Sequence, residues 1–480
     1  GLTNGTTYYY RLVAVDDAGN QSSTSSEAST TPSKSAALRI TGVEPSSGAP
    51  GTAIRVYGKG FSTTASDNTV TFGGTTAPID SAKSNVLYTR VPSGATGGAV
   101  EVSMSLDGGT ATAAKRFSVV TDGGTFLGDL GANLTGVDHN SSNGASSIAD
   151  VNGDGALDLL VTGVVDNASD DYETTLYLQQ SDGSFEPANA GLTDVTNAST
   201  SIADVNDDGT LDLLIAGLDE NFDETTTLYL QQEDGSFEAA EAGLLGLGSS
   251  SMSVADVNGD GALDLLLTGT DRDFKAHTIL YLQQPDGSFT QAKAGLGDVA
   301  GGGDTAIDDV NGDGVPDLLV TGSNSATLYL QQDDGSFESA GAGLIDVDGG
   351  TTASIADVDG DGDPDVLSTG GYGFQSARTD LYLQQSDGSF DTADANLDGQ
   401  ENAGAAIADV DGNGRLDLIL LDAGLYLQQD DGSFEPGFGL PNVYYGSVSV
   451  ADVTNDGALD LLVTGDDEAT LYGPNHIALA

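Results

Sequence analysis

The chain has 480 residues, no cysteine and no tryptophan, and its 14 basic and 74 acidic side chains give a net charge of −60. The absence of cysteine excludes disulfides and thiol chemistry, and so acidic a chain repels a phosphate backbone, which argues against nucleic acid as a partner. No run of 18 apolar residues occurs, so the sequence predicts no membrane span.

The charge is divided unevenly along the chain. Residues 1–120 carry 9 basic and 8 acidic side chains, whereas residues 121–480 carry 5 basic and 66 acidic ones. A change of this size marks a domain boundary near residue 120. The acidic part suits cation binding, and we expect its excess charge to be an adaptation to high salt, as in a halophilic or marine protein.

Two short patterns organise the first part of the chain. Residues 1–34 contain a tyrosine-rich strand, "TTYYYRLVAV", and a "DDAGNQS" turn, and they resemble the C-terminal part of a fibronectin type III domain. Residues 36–120 contain "PSSGAPGT", "GKGFS" and "VPSGATG", and they resemble an IPT/TIG immunoglobulin-like domain. The second resemblance implies a small β-sandwich, and the first leads us to expect that the chain is a fragment of a longer precursor.

Residues 121–480 are dominated by an internal repeat. An acidic nine-residue loop, "DVNGDGALD" in its first copy, occurs seven times and begins at Asp150, Asp204, Asp256, Asp309, Asp357, Asp409 and Asp452. Around each loop we predict four strands, illustrated by "SIAD", "LDLLIAG", "TTLYLQQ" and "SFEAA" in the second copy. No window shows a sustained helical period.

Four-stranded units of this length in series predict the blades of a β-propeller. The fold class is therefore all-β, a seven-bladed β-propeller over residues 121–480 preceded by an Ig-like β-sandwich. The last copy lacks its "DGSF" strand, whereas "DGGTFLGDLGANL" at residues 122–134 resembles that strand. We expect this segment to complete the last blade and close the ring.

Each loop offers oxygen ligands with the spacing of a hard-cation cage, side chains at positions 1, 3, 5 and 9 and a backbone carbonyl at position 7. Position 3 is Asn152, Asn206, Asn258, Asn311, Asp359, Asp411 and Thr454; position 5 is Asp154, Asp208, Asp260, Asp313, Asp361, Asn413 and Asp456. Position 7 is Ala156, Thr210, Ala262, Val315, Asp363, Arg415 and Ala458; position 9 is Asp158, Asp212, Asp264, Asp317, Asp365, Asp417 and Asp460. We expect up to seven Ca²⁺ ions.

Other interpretations of the loop fit less well. An EF-hand or dockerin loop needs an acid at position 12, which is Val161 in the first copy, and magnesium prefers sites that keep several waters. A merely hydrophilic turn is the remaining alternative, but it does not explain why position 4 holds only Gly, Asp or Asn, which tolerate a positive φ. We expect the fifth loop to bind most tightly, and the sixth and seventh loops more weakly.

The repeats resemble FG-GAP/VCBS repeats, the calcium-loop blades of integrin-α-like propellers. This resemblance implies that the loop joins the first two strands of each blade and that ligands bind the opposite face. Aromatic residues occur among polar ones between strands two and three, and before the last loop; they are Tyr172, Phe222, Phe274, Tyr372, Phe374, Tyr444 and Tyr445. Such side chains can stack on sugars, contact a protein, or simply fill gaps between loops.

Three functions follow from this sequence. The first is a secreted or cell-surface adhesion module that recognises a glycan or an extracellular protein in a lectin-like way; the second is a calcium-rigidified spacer or assembly unit. The third, an enzyme acting on polysaccharide, is disfavoured because no catalytic constellation stands out around the three widely separated histidines. We therefore expect no catalytic residues and an extracellular location.

Overall fold

The computed structural model describes the chain with several gaps. The described residues are 8–10, 28–30, 38–44, 47–48, 51, 53–95, 98–106, 109–119, 127–130, 132, 134, 144–166, 171–299, 303–322, 325–332, 334–344, 348–371, 377–400, 404–437, 440, 443, 446–465 and 468–474. Within them the secondary structure is strand, apart from one 3-10 turn at Ala65–Asp67. None of these residues belongs to a helix long and apolar enough to cross a membrane.

The N-terminal part contains a strand pair and a β-sandwich. Strands β1 (Tyr8–Tyr10) and β2 (Ala28–Thr30) pair antiparallel, and most of the fibronectin-like segment lies outside the described residues. One sandwich sheet has the order β3 (Arg39–Glu44), β5 (Ala53–Lys59), β9 (Val86–Arg90) and β8 (Ile79–Ala82). The other has the order β4 (Ser47–Gly48), β11 (Gly109–Val119), β10 (Gly98–Leu106), β6 (Asn68–Phe72) and β7 (Thr75–Ala77).

Apolar side chains from both sheets form the core of the sandwich. Val56 and Leu87 from one sheet pack with Val70, Phe72 and Val100 from the other, and all five are fully buried. The alternation of buried and exposed residues along β6 puts Val70 and Phe72 on the same inward face. The predicted Ig-like sandwich is therefore the architecture of this region.

Seven four-stranded antiparallel sheets follow among the described residues. Sheets 1 to 4 are β13–β16 (Ala145–Ala149, Asp158–Asp166, Asp171–Gln179, Phe185–Pro187), β17–β20 (Thr196–Ala203, Asp212–Leu218, Glu224–Gln231, Phe237–Ala240), β21–β24 (Gly248–Ala255, Asp264–Thr270, Ala276–Gln283, Phe289–Gln291) and β25–β28 (Asp304–Asp308, Asp317–Gly322, Ser325–Gln331, Phe337–Ser339). Sheets 5 and 6 are β29–β32 (Asp348–Ala356, Asp365–Gly371, Ala377–Gln384, Phe390–Thr392) and β33–β36 (Ala405–Ala408, Asp417–Leu420, Gly424–Gln428, Phe434–Pro436).

Sheet 7 joins the two ends of the repeat region. Its strands are β37 (Ser447–Ala451), β38 (Asp460–Gly465), β39 (Glu468–Pro474) and, as the outer strand, β12 (Leu127–Asp129). β12 pairs with β39 from Leu127 opposite Pro474 to Asp129 opposite Tyr472. The expected closure by the segment before the first repeat is confirmed.

The first strands of successive sheets line a ring. Each contacts the first strand of the next sheet, and β13 also contacts β37. At this junction of sheets 1 and 7, the Ser146 hydroxyl lies 3.1 Å from that of Ser447 and 3.0 Å from that of Ser449. The all-β propeller prediction is confirmed.

Apolar faces of neighbouring sheets pack together to form the propeller core. Between sheets 1 and 2, for example, Leu160 and Leu176 pack with Leu213, Ile215 and Tyr229, all buried. The "LYLQQ" tyrosines and the "DGSF" phenylalanines pack in these clusters, as the sequence predicts. The core is thus distributed among the sheet interfaces.

The first glutamine of each "LYLQQ" motif ties one sheet to the preceding one. The Nε2 amide of Gln231 donates to the Val151 carbonyl at 3.1 Å, and that of Gln283 donates to the Val205 carbonyl at 2.8 Å. The same bond recurs from Gln179, Gln331, Gln384 and Gln428 to Val453, Val257, Val310 and Val358. Pro474 occupies the corresponding position in sheet 7, and a proline side chain has no amide with which to form this bond to sheet 6.

Candidate metal centres

The seven acidic loops share a backbone conformation that the sequence anticipates. Position 4 has a positive φ in every copy, between 56° at Asn455 and 77° at Gly360, and the glycine at position 6 lies between 88° and 103°. Two left-handed residues so close together curl the loop back on itself, and few residue types adopt this conformation cheaply. The seven loops therefore share one tightly curled backbone path.

Backbone N–H groups hold the carboxylates in place. In the first loop, the Asp150 Oδ2 accepts from the Gly155 N–H at 2.9 Å and the Asp154 Oδ1 accepts from the Ala156 N–H at 2.8 Å. The Asn152 Oδ1 accepts from the Asp154 N–H at 2.9 Å. The same bonds recur in other copies, so the loop itself orders these acidic and amide side chains.

The aspartates at position 9 have a structural role as well. Asp212 is fully buried; its Oδ2 accepts from the Val205 and Asn206 N–H groups at 3.0 and 3.3 Å, and its Oδ1 accepts from the Gln231 N–H at 2.9 Å. One carboxylate thereby connects the loop, the second strand and the third strand. Burial raises the pKa of Asp212 to about 6 and the pKa of Asp264 to about 7, because the charged form loses its water.

The aspartates at position 1 carry the observation that fits a cation. In four loops the Oδ1 atom of this residue is buried without a hydrogen-bond partner, namely in Asp150, Asp256, Asp309 and Asp357. An unpaired buried carboxylate oxygen is costly unless a cation or water binds it. With further carboxylate and amide oxygens around it, each of these loops suits a hard divalent ion such as Ca²⁺.

Three carboxylates converge in the fifth loop and three in the sixth loop. In the fifth loop, carboxylate oxygens of Asp357, Asp359 and Asp361 lie within 4.8 Å of one another, and Asp409, Asp411 and Asp417 of the sixth loop are equally close. Arg415 of the sixth loop turns outward, with its Nη2 atom 2.8 Å from the Asp430 carboxylate. The acids of the sixth loop therefore still converge despite the neighbouring cation.

The sandwich docks on the third and fourth loops, which the sequence analysis did not foresee. Arg55 and Tyr57 both donate to Asp308, which immediately precedes the fourth loop. Lys59 donates to the Asp260 carbonyl in the third loop. The signal was present in the sequence, because this position is alanine in the other six copies and aspartate only at Asp308.

Three further residues of the sandwich contact the fourth loop itself. Lys83 donates to the Gly312 carbonyl, Asn85 donates to the Gly314 carbonyl, and the Tyr88 hydroxyl donates to the Asp309 Oδ2 at 3.1 Å. Burial, followed by the Asp309 charge, raises the pKa of Tyr88, so its phenol stays protonated and remains a donor. We call Arg55, Tyr57, Lys59, Lys83, Asn85 and Tyr88 the docking face.

A cavity of about 860 Å³ lies on the loop side of the ring, between the sandwich and the first strands of several sheets. Ion pairs line it: Arg90 lies 3.5 Å from Asp80, and Arg415 belongs to the pair described above. Tyr88 is its one aromatic residue among those described. This volume falls in the range of small-ligand sites, but it lies away from the face that the resemblance implies for ligands.

Aromatic residues lie at the other end of the sheets. The second strand of each sheet runs away from the loop, so the hairpins joining strands two and three are at the opposite end. There Phe222 is 61 % and Phe274 is 91 % exposed, and the Tyr172 ring meets the Phe222 ring edge-on at 6.1 Å. Tyr372, Phe374, Tyr444 and Tyr445 lie outside the described residues.

The hairpins of sheets 2 and 3 hold their phenylalanines in the same backbone conformation. Phe222 and Phe274 have φ values of 59° and 58°, a rare conformation for bulky residues. Asp219 and Asp271 enforce it, because each Oδ1 accepts two backbone N–H groups across the turn at 2.8–2.9 Å. Arg272 links the hairpins, with its Nη2 atom 2.9 Å from the Asp223 Oδ1.

Family models match segments in both parts of the chain. The FG-GAP-like repeat model matches residues 150–215, 204–267, 309–368 and 357–420. The IPT/TIG domain model matches residues 38–119. No curated protein matches the chain.

Several solved structures are similar at low identity. A lectin from Agrocybe aegerita, reported for recognition of non-reducing terminal N-acetylglucosamine, is 19% identical with a TM-score of 0.44, over 68% of this chain and 87% of the lectin. Auxiliary nutrient binding proteins from Bacteroides thetaiotaomicron and Bacteroides ovatus are 11% and 14% identical, with TM-scores of 0.35 and 0.34. They cover 91% and 92% of this chain and 97% of their own. These values are too low to transfer a ligand.

Proposed function

The chain carries FG-GAP-like repeats behind an IPT/TIG domain, and from this we propose that it is a calcium-stabilised binding module of the cell surface or the extracellular space. Both families consist mostly of non-enzymatic binding modules. Up to seven Ca²⁺ ions would occupy the seven loops and hold the ring rigid. The module would recognise a glycan or an extracellular protein through the face opposite the loops.

The observation that carries the binding function is the pair of exposed phenylalanines. An exposed bulky side chain with a positive φ costs stability, and such strain concentrates at functional sites. Two adjacent hairpins maintain the same strained display with the same aspartate bonds. Exposed aromatic faces beside charged groups are suited to stacking on sugar rings or to packing on a protein surface.

The calcium function is supported by the unpaired Oδ1 atoms at position 1. Without a cation, each loop concentrates three to five acids. In the four loops named above, one buried carboxylate oxygen is also left unsatisfied. An ion that binds only the folded loop stabilises the fold by mass action. Extracellular calcium modules bind at about 10⁻⁴–10⁻³ M, which suits the proposed location.

A spacer is the second candidate, and the docking face favours it. Contacts between consecutive modules are what a rigid extended assembly needs, and here the sandwich engages two loops of the ring directly. In that case the exposed phenylalanines Phe222 and Phe274 would bind no soluble ligand.

The test is a glycan-array screen of the full chain in millimolar calcium and in EDTA, with a melting curve in each condition. A binding module should give a hit that Phe222→Ala and Phe274→Ala weaken, whereas Asp234→Ala, an exposed change at the other end of sheet 2, leaves it intact. No hit together with a large calcium-dependent rise in Tm would favour the spacer. An unchanged Tm in EDTA would contradict the calcium function.

A further inference from the structure

The docking face concentrates positive charge on two neighbouring acidic loops, the third and the fourth. Arg55, Lys59 and Lys83 are three of only 14 basic residues in the chain, and all three bond to the third or fourth loop or to the adjacent Asp308. Lys83 also lies over the Tyr88 ring, with its Nζ 5.7 Å from the centroid. The contact joins a basic surface to an acidic one, the arrangement expected of a specific interface.

The fourth repeat is adapted to receive this face. Asp308 is 5 % exposed, and the Arg55 guanidinium and the Tyr57 hydroxyl both bond to its carboxylate. A buried carboxylate at this position needs such partners, and the other six repeats avoid the need by carrying alanine. The single exception among seven copies thus coincides with the docking site.

The two carboxylate oxygens of Asp309, at position 1 of the fourth loop, differ in the docked arrangement. The Asp309 Oδ2 accepts from the Gly314 N–H at 2.8 Å and from the Tyr88 hydroxyl at 3.1 Å, and it lies 3.5 Å from the Lys83 Nζ. Its Oδ1 is buried without a partner, and the residue is 2 % exposed. A cation on Oδ1 would therefore share one carboxylate with an ammonium group.

We propose that the docking face and Ca²⁺ compete for the fourth loop, so that calcium weakens the docking of the IPT/TIG domain on the ring; this inference rests on the calcium occupancy proposed above. A divalent ion bound through Asp309 would share this carboxylate with the Lys83 ammonium, whose Nζ lies 3.5 Å from Oδ2. Charges of +2 and +1 separated by several ångströms repel each other by an amount worth about tenfold in affinity even in a water-like dielectric. By linkage, docking weakens calcium binding at this loop by the same factor that calcium weakens docking.

The test measures the distance between the domains in the full chain. Because the chain has no cysteine, spin labels can be placed on Thr63→Cys and Ser339→Cys, both exposed and one on each domain. Electron–electron distances are recorded from micromolar to 10 mM Ca²⁺, while calorimetry follows calcium binding. We expect a narrow distribution at low calcium that broadens as calcium binds.

Three variants separate the contributions. Asp308→Ala, which restores the residue of the other repeats, should broaden the distribution at all calcium concentrations with the loop ligands intact. Lys83→Gln should raise calcium affinity at the fourth loop by about tenfold. Arg90→Gln removes a charge that pairs within the sandwich at Asp80 and should behave as the unmodified chain.

Each alternative result overturns the proposal. A calcium affinity at the fourth loop that neither Lys83→Gln nor Asp308→Ala changes would leave the calcium function intact and refute the competition. A distance distribution that narrows only with calcium would show that calcium strengthens docking rather than weakening it. A distribution that is broad at every calcium concentration would show that the domain does not dock. If no calcium binds, the proposed calcium function and the competition fail together.

Discussion

The aspartates at position 9 allow a prediction that separates scaffolding from metal binding. In the second loop, Asp212→Ala removes a fully buried carboxylate that accepts from the Val205, Asn206 and Gln231 N–H groups. Each buried donor left without a partner costs about 1–3 kcal/mol. Val205 and Gln231 are themselves buried, so these two donors set an expected loss of about 2–6 kcal/mol.

The assay is urea unfolding, with hydrogen exchange of the peptide spanning residues 200–215, in calcium and in EDTA. Asp234→Ala is the matched control, because Asp234 also accepts a backbone N–H, from Ser236 at 3.1 Å, but is exposed. Its expected effect is below about 1 kcal/mol. If Asp212→Ala destabilised the protein only in calcium, or no more than the control did, the scaffolding role would be refuted.

Three further predictions follow. Gln283→Ala should lower the free energy of unfolding by about 1–3 kcal/mol by orphaning the Val205 carbonyl, whereas Gln284→Ala should change it little; urea unfolding compares the two. In EDTA, the calorimetric Tm should fall from pH 5 to pH 8, because the pKa of Asp264 rises from 3.8 to about 7 on folding. The stabilisation that the protonated Asp264 contributes is complete below pH 3.8 and is lost as the pH rises through 7. A Tm that rises over this range would contradict the prediction. Phe274→Gly should stabilise the chain by about 1 kcal/mol in urea unfolding by relieving the positive φ, and it should weaken ligand binding. Destabilisation would show that the Phe274 ring packs against the protein.

The ring was predictable because its signals are local and repeated. The loop spacing, the alternating strands and the missing last strand are all legible within one repeat length, and β12 on β39 follows from them. The positive φ at position 4 is equally local, since only the residue types at Gly153, Asp207 and Asn455 and their equivalents tolerate it.

The docking face and the glutamine bonds were not predictable in the same way. Lys83 meets Gly312 across 229 positions of sequence, and Gln231 meets Val151 across 80. Such contacts depend on how folded sheets and domains pack against one another, and the residue pattern within one repeat does not specify that packing. The hydrogen bonds that Asp212 accepts within its sheet were not predictable either. An aspartate would suit a metal site and a buried hydrogen-bond acceptor equally well, so the residue type does not separate the two roles.

The closure of the ring also determines how the molecule would carry mechanical load. β12 follows the sandwich in the chain and is held by β39 over three residue pairs, so a pull on the sandwich reaches the ring first at sheet 7. The docking face provides a second anchor on sheets 3 and 4, which lie across the ring from sheet 7 in the order of the sheets. With both anchors engaged, tension is shared between opposite points of the circumference. With the docking face released, the whole force would act on the short outer strand β12, and the ring would then open where β12 pairs with β39.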